Sequence, residues 1–445
     1  MSFINRRGFL KGSASVLSMA ALGFLKPQLL FSQGQNPGNG RNLIQIFFTG
    51  GYDGLALFPY YDGPVYDYLA NVRQNILIDP AQIIPVGNQD GMPNKIGLHP
   101  HWDELATAAD GNIKVIQMTG TRSYRGGSHA LLQQIHSRGV DDPKNPEQRG
   151  WFGRISETQK FDLFQAWGVG VGNRVDFRTN SSAYKPLVVS SNLSHFQYRT
   201  RNSSLTNLPG APSGYHQSRE RDFFSEMRDE LFEMSVPDHA LTELITDGIQ
   251  VTNSAIDTVQ LINDTYDSSE DYESNSFASS CRALSKVLRY QADNPAWQQR
   301  SIIAFMEIGG WDTHGGQIDA LDILIPRVAK NLALLVDELK GHDGGSPWNN
   351  TTISMNTDFG RTTKSNATGS DHGHSYSNMI LGGRIAGGIL GSPPSMGDLQ
   401  NYNKQPVTDY EYRDALAEII YDMGIDPYSV FTESGYLRKP IPLYA

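Results

Sequence analysis

A chain of 445 residues with 39 % hydrophobic and 19 % charged residues can bury a large core, which excludes a disordered protein. Thirty-seven Lys and Arg stand against 47 Asp and Glu, a net charge of −10 without a basic stripe, so nucleic acid is not an expected partner. The single cysteine, Cys281, excludes internal disulfides and a cysteine-ligated zinc site.

Residues 4–12 read Ile-Asn-Arg-Arg-Gly-Phe-Leu-Lys-Gly and lead into an apolar run, Ser13 to Leu25, that stops at Lys26 and Pro27. That run is shorter than the roughly 20 residues a bilayer requires. A charged start before a short apolar middle is the pattern of a signal peptide. Arg6-Arg7 followed by Phe9-Leu10-Lys11 resembles the twin-arginine type, which implies the twin-arginine export machinery as a partner and a periplasmic or extracellular mature chain. Residues 1–33 are read as this signal and 34–445 as one domain. Cleavage removes Arg6, Arg7, Lys11 and Lys26 and no acid. The mature chain then carries no stable membrane span and has no attraction to anionic lipid.

Five short apolar runs predict buried strands: Leu43–Phe48, Ile113–Met118, Leu187–Val189, Ile302–Ile308 and Thr352–Met355. Each is followed within a few residues by Gly, Asp, Ser or Asn, the turn chemistry of a strand end. Helices are expected at Arg219–Met234, Leu241–Ile262 and Tyr410–Met423. The clearest carries Ile318, Leu321, Ile325, Val328, Leu332, Leu335 and Leu339 in steps of three and four. Pro326 interrupts that pattern and is expected to kink or split the helix. Strands alternating with helices predict an α/β fold with a mostly parallel sheet. Residues 140–220, rich in Ser, Asn, Gly, Arg and aromatics without sustained periodicity, read as a loop-rich cap over a site or as small strands.

Ligands collect at the carboxyl ends of strands in such sheets, and each strand here is followed by chemistry. Thr49-Gly-Gly-Tyr-Asp53-Gly follows the first and Thr121-Arg-Ser-Tyr-Arg-Gly-Gly-Ser128-His129 the second. Gly309-Gly-Trp-Asp312-Thr-His314-Gly-Gly follows the run at 302–308. Asn356-Thr-Asp358-Phe-Gly-Arg361-Thr follows the last, with Gly369-Ser-Asp371-His372-Gly-His374 shortly beyond. Carboxylates and imidazoles between glycines are ligand types that zinc, manganese, magnesium or calcium accept without sulfur. Asp53, Asp312, His314, Asp358, Asp371, His372 and His374 are the candidate metal ligands. Taken singly, Asp53 is equally a turn former, and Asp312 with His314 a pair that orders its loop. Ser128 stands where a helix would start, as nucleophile or as plain N-cap. Arg122, Arg125 and Arg361 flank these loops and could clamp a tetrahedral oxyanion, Arg361 foremost.

Together with the twin-arginine start, a set of motifs gives the chain a resemblance over nearly its whole mature length. They are Gly-Gly-Tyr-Asp-Gly, Gly-Leu-His-Pro at 97–100, Gly-Gly-Ser-His, Gly-Gly-Trp-Asp-Thr-His, Asp-Phe-Gly-Arg-Thr, Asp-His-Gly-His and the late Gly-Gly-x-x-x-Gly-Gly. The chain resembles the bacterial family catalogued as domain of unknown function 1501, grouped with the alkaline phosphatase and sulfatase superfamily. The resemblance implies an alkaline-phosphatase-like three-layer sandwich, a mostly parallel central sheet with helices on both faces, and a site for one or two divalent metals. It implies metal-ligand roles for Asp53, Asp312, His314, Asp358 and His372 or His374, a nucleophilic Ser128, and an acid at Glu307 near a metal. Phe359 stands where active phosphatases and sulfatases carry His, and the sulfatase Cys/Ser-x-Pro-x-Arg signature is absent. The function expected is an exported metal-dependent hydrolase or transferase of phosphate or sulfate esters, on a small-molecule or polysaccharide substrate. The alternative is a non-catalytic exported binding or assembly protein that keeps the fold with a degenerate metal site.

Overall fold

The computed structural model describes residues 39–193 and 255–445, apart from 173, 181–183, 190, 343–346, 402–406 and 408. The signal peptide and the helices expected at 219–234 and over most of 241–262 lie outside the described residues, although 255–265 is helical.

Among the described residues, thirteen strands follow the chain. β1 is Asn42–Phe48, and β2 (Tyr60–Asp62), β3 (Ile84–Pro85) and β4 (Lys95–Leu98) form a small antiparallel sheet. β5 is Ile113–Thr119, β6 Ala166–Val169, β7 Leu187–Val189, β8 Ile303–Ile308 and β9 Thr351–Thr357. β10 (Arg361–Ser365) and β11 (Ser370–His372) make an antiparallel hairpin, and β12 (Tyr376–Gly382) and β13 (Gly388–Leu390) complete the set. Eight of them form the main sheet in the order β13-β5-β12-β9-β1-β8-β6-β7. Only β12 runs against its neighbours. This is the α/β class read from the sequence, and all five expected strands are present within a residue or two of their limits.

The sheet is buried on both faces, as continuous apolar strands require. Side chains alternate along β1: Ile44, Ile46 and Phe48 join one core and Leu43 and Phe47 the other. The first core is covered by the helices Ser276–Asp293 and Gln317–Lys340, through Cys281, Leu284, Leu288, Leu321, Val328 and Leu332. The second is covered by His129–Arg138, Trp151–Gln159 and Tyr412–Asp422. The result is a three-layer sandwich.

One of the two outcomes expected at Pro326 is excluded: Gln317–Lys340 is one continuous helix with Pro326 inside it and is not split in two. Losing one backbone bond costs about 3 kcal/mol, and the buried row Leu321, Ile325, Val328, Leu332, Leu335 and Leu339 outweighs that at about 1.5–3 kcal/mol per side chain. Within 140–220, read as a cap or as small strands, β6 and β7 are short strands that extend the main sheet beside β8, and Trp151–Gln159 covers the second core. Residues 194–220 lie outside the described set. Among the described residues, no helix is long and apolar enough to cross a membrane.

One buried imidazole makes the sandwich sensitive to acid. His136 lies against Tyr412 (ring centroids 4.1 Å apart) and Phe47 (5.6 Å), and burial, with Arg413 adding to it, pushes its pKa down to about 3. Between that value and the ordinary 6.5 the unfolded chain binds a proton that the folded chain refuses, so stability falls as pH drops through this window. Relative to His136→Phe, the wild type is expected to lose about 2–3 kcal/mol more between pH 6.5 and 4.5, read by urea denaturation. Parallel pH profiles would contradict the assignment.

Candidate metal centre

The order β8-β1-β9 sets three strand ends side by side, and the loops leaving them meet at one rim of the sheet. Gly50 and Gly51 carry φ values of 120° and 70°. A Cβ on Gly50 would come within 2.6 Å of the Asp312 nitrogen, and one on Gly51 within 2.6 Å of the Phe359 ring. Glycine is what lets the β1 loop lie against the other two.

Arg361 fastens them. It opens β10 and is buried, with Nε donating to Gly51 O, Nη2 to Gly50 O, Trp311 O and Asp312 Oδ1, and Nη1 to Ser370 O. Its register partner across the hairpin is His372. A fourth loop arrives from β5: Ser128 caps the helix His129–Arg138, and His129 is that helix's first residue.

Three imidazoles and one carboxylate converge there. His372 Nε2 lies 3.2 Å from His129 Nε2, 2.9 Å from His314 Nε2 and 3.2 Å from Asp312 Oδ1. His314 Nε2 is 3.2 Å from Asp312 Oδ1, and His129 Nε2 is 3.6 Å from Asp312 Oδ2. Donors around one ion at roughly 2.0–2.1 Å stand about 3.3–3.4 Å apart when tetrahedral; the ligand atoms of His129, His372 and Asp312 all lie within 4.8 Å of one another, as a shared cation requires, and His314 Nε2 lies beside His372 and Asp312.

The outer nitrogens explain why those faces point inward. His129 Nδ1 donates to Asp358 Oδ2 (2.6 Å), His372 Nδ1 to Gly127 O (2.8 Å) and His314 Nδ1 to Asp371 Oδ1 (3.2 Å). Each partner is an acceptor, so each ring carries a proton on Nδ1 and turns inward Nε2, the nitrogen that holds the lone pair in a neutral ring. Lone pairs facing one another at about 3 Å repel unless a cation or added protons lie between them. Metal-bound histidines are braced in this way. Phe359 closes the inner side, its ring centroid 4.6 Å from those of His129 and His372.

The carboxylates are tuned by these contacts. Burial pushes Asp312 up, but the Arg361 hydrogen bond and charge, together with His372 and His314, hold it below the usual range. Burial raises Asp358 against the hydrogen bonds from His129, the Gly50 amide and Gln133. The His314 hydrogen bond lowers Asp371.

Of the residues expected as ligands, Asp312, His314 and His372 come together, and the others take different positions. Asp53 is buried in an ion pair with Arg73, with its oxygens also accepting from the Leu55 amide, Gln317 Nε2 and Ser370 Oγ. Asp358 and Asp371 brace His129 and His314 from outside. His374 is buried, with Nε2 at 2.7 Å from Thr121 O. Arg361 is enclosed by backbone carbonyls, a position for holding loops and not for clamping an oxyanion. Glu307 pairs with Arg174, and Arg122 donates to Asp409 O. Ser128 has the N-cap geometry and an exposed hydroxyl that receives only a long bond, 3.5 Å, from the Leu131 amide.

Sequence reasoning missed His129. Its signal was its place directly after the candidate N-cap: the first residue of a helix that starts at the rim projects into it.

The profile of the family described as Protein of unknown function (DUF1501) matches residues 167–441. No curated protein matches the chain in sequence. Among solved structures it is similar to a protein in the alkaline phosphatase superfamily from Vibrio parahaemolyticus, at 10 % identity and a TM-score of 0.37, covering 94 % of this chain and 79 % of that one. It is also similar to the lipoteichoic acid synthase LtaP from Listeria monocytogenes, at 9 % identity and a TM-score of 0.30, covering 89 % and 74 %.

If Asp358 orients a ligand, Asp358→Asn should weaken zinc binding about 10–100-fold, the usual effect of losing an outer partner, measured by competition with a chromophoric chelator. Unchanged affinity would contradict that role.

Proposed function

The chain belongs to the DUF1501 family, and from that premise we propose an exported, metal-dependent hydrolase or transferase acting on phosphate or sulfate esters. The observation that carries the reading is the convergence of His129, His314 and His372 through Nε2 on Asp312, with every Nδ1 held by an acceptor. A divalent cation held there supplies a Lewis acid that polarises an ester oxygen and neutralises developing charge.

The chain's own groups supply the rest. Arg361 fixes Asp312 and the three loops, so that the donors are preorganised before substrate arrives. Gly127 and His129 flank Ser128 in sequence; the Gly127 carbonyl fixes the ring of His372, and His129 is one of the donors. Ser128 stands between them in sequence, as N-cap of the ten-residue helix His129–Arg138, where the helix dipole favours an anionic oxygen. That arrangement suits an ester substrate bearing an anion, with Ser128 or a water as the attacking group. The twin-arginine-like start supports export to the periplasm or cell surface through that machinery. The substrate is a small-molecule or polysaccharide ester.

The test is turnover of a phosphate monoester, a phosphate diester and an aryl sulfate by purified protein, before and after chelation. Hydrolysis of at least one is expected, lost on chelation and restored by metal, with kcat/KM lowered at least about 100-fold in His372→Ala. Turnover that survives Ser128→Ala assigns the attack to water. Metal retained without turnover of any ester would select the alternative, an exported binding or assembly protein.

A further inference from the structure

Three adjacent strands, β8, β1 and β9, each deliver an aspartate to the same rim: Asp312, Asp53 and Asp358. A pair of ions about 3.5–4 Å apart needs several such carboxylates around it, and their partners decide how many ions this rim can take. The Asp53 side chain is wholly buried, and the Arg73 guanidinium that faces it is 3 % exposed. Both Asp53 oxygens are already engaged, Oδ1 by the Leu55 amide and Oδ2 by Arg73, Gln317 and Ser370. Asp358 is buried as well, and its Oδ2 accepts from His129 Nδ1, the Gly50 amide and Gln133 Nε2. Asp312 alone of the three is substantially exposed, at 46 %; its Oδ1 accepts from Arg361 Nη2, and its oxygens also face imidazole Nε2 atoms.

Arginine keeps its charge at every accessible pH. Asp53 is therefore paired and enclosed, with both oxygens already engaged. The exposed donor set has three imidazole nitrogens and one carboxylate, that of Asp312, while Asp358 Oδ1 is buried without a hydrogen-bond partner. Magnesium and calcium prefer six or more oxygen ligands, whereas borderline ions of the zinc type accept four donors rich in imidazole.

We propose that this rim is built for a single transition ion of the zinc type, held by His129, His314, His372 and Asp312, and that Arg73 occupies Asp53 as a fixed second positive charge. The inference rests on the metal-dependent reading above and adds the number and class of the ion. It makes Arg73 and Asp53 positioning residues: they hold the β1 loop against the hairpin through Ser370 and against the helix Gln317–Lys340 through Gln317, without touching the ion.

The experiment uses the full chain, stripped with chelator and titrated with zinc, magnesium or calcium by calorimetry. Bound metal is then counted by mass spectrometry after desalting. The expected result is one zinc per chain, retained against about 100-fold excess magnesium or calcium. Asp53→Asn should bind zinc within about threefold of wild type, whereas His314→Ala and His372→Ala should bind it at least about 100-fold more weakly. Two zinc ions per chain, displacement by magnesium or calcium, or an Asp53→Asn loss matching that of His314→Ala would overturn this inference and leave the metal-dependent reading standing. Absence of binding by any of the three metals would overturn both. If Asp53→Asn does not fold, wild-type stoichiometry and competition decide the question.

Discussion

Three imidazole rings turn their Nε2 atoms toward one point because something holds each of them by the other nitrogen. Asp358, Gly127 O and Asp371 accept from Nδ1 of His129, His372 and His314. Without these acceptors each ring could flip or change tautomer, and the cluster would relax into ordinary hydrogen bonds. With them, lone pairs gather beside Asp312, an arrangement that stores repulsion and is relieved by a cation. The mixed sheet, the glycine-lined β1 loop and the hairpin β10–β11 all serve to bring these acceptors to the same place.

Holding three loops against one another takes a rigid connector, and Arg361 is that connector. A buried guanidinium is expensive unless its N–H groups are satisfied. Here they are satisfied by carbonyls of Gly50, Gly51, Trp311 and Ser370 and by Asp312. The planar fork of arginine can reach several loops at once, which a lysine's point charge cannot. A second arginine, Arg73, does comparable work on Asp53. Permanent cations thus organise the acidic rim, leaving Asp312 as the carboxylate turned toward the ring nitrogens.

Much of the fold was legible in the residues. Apolar runs bounded by turn formers marked β1, β5, β7, β8 and β9, because a strand buried on both faces has no polar face to obscure it. The start of the helix Ser276–Asp293, which carries Cys281, is hidden in the sequence, since its first turn is rich in serine and follows an acidic, serine-rich stretch that reads as loop. Pro326 does not split its helix, as buried side chains outweigh one lost backbone bond. At the site, spacing identified the loops but not which side chain in each faces the centre. Asp371, His372 and His374 stand within four positions. The pairing of Arg361 with His372 across the hairpin turns His372 inward, while His374 reaches Thr121 O and Asp371 lies behind His314. Asp53 and Asp358 could be told from Asp312 only by partners distant in the chain, Arg73 and His129. Such choices are made by register and by long-range ion pairs, which no local pattern records.

X-ray absorption at the zinc edge tests the convergence of the three rings most directly. For zinc-loaded protein the structure predicts a first shell at roughly 2.0–2.1 Å of three imidazole nitrogens and one carboxylate oxygen, with multiple scattering from three rings. A shell of oxygens with one imidazole or none would show that these histidines do not share an ion.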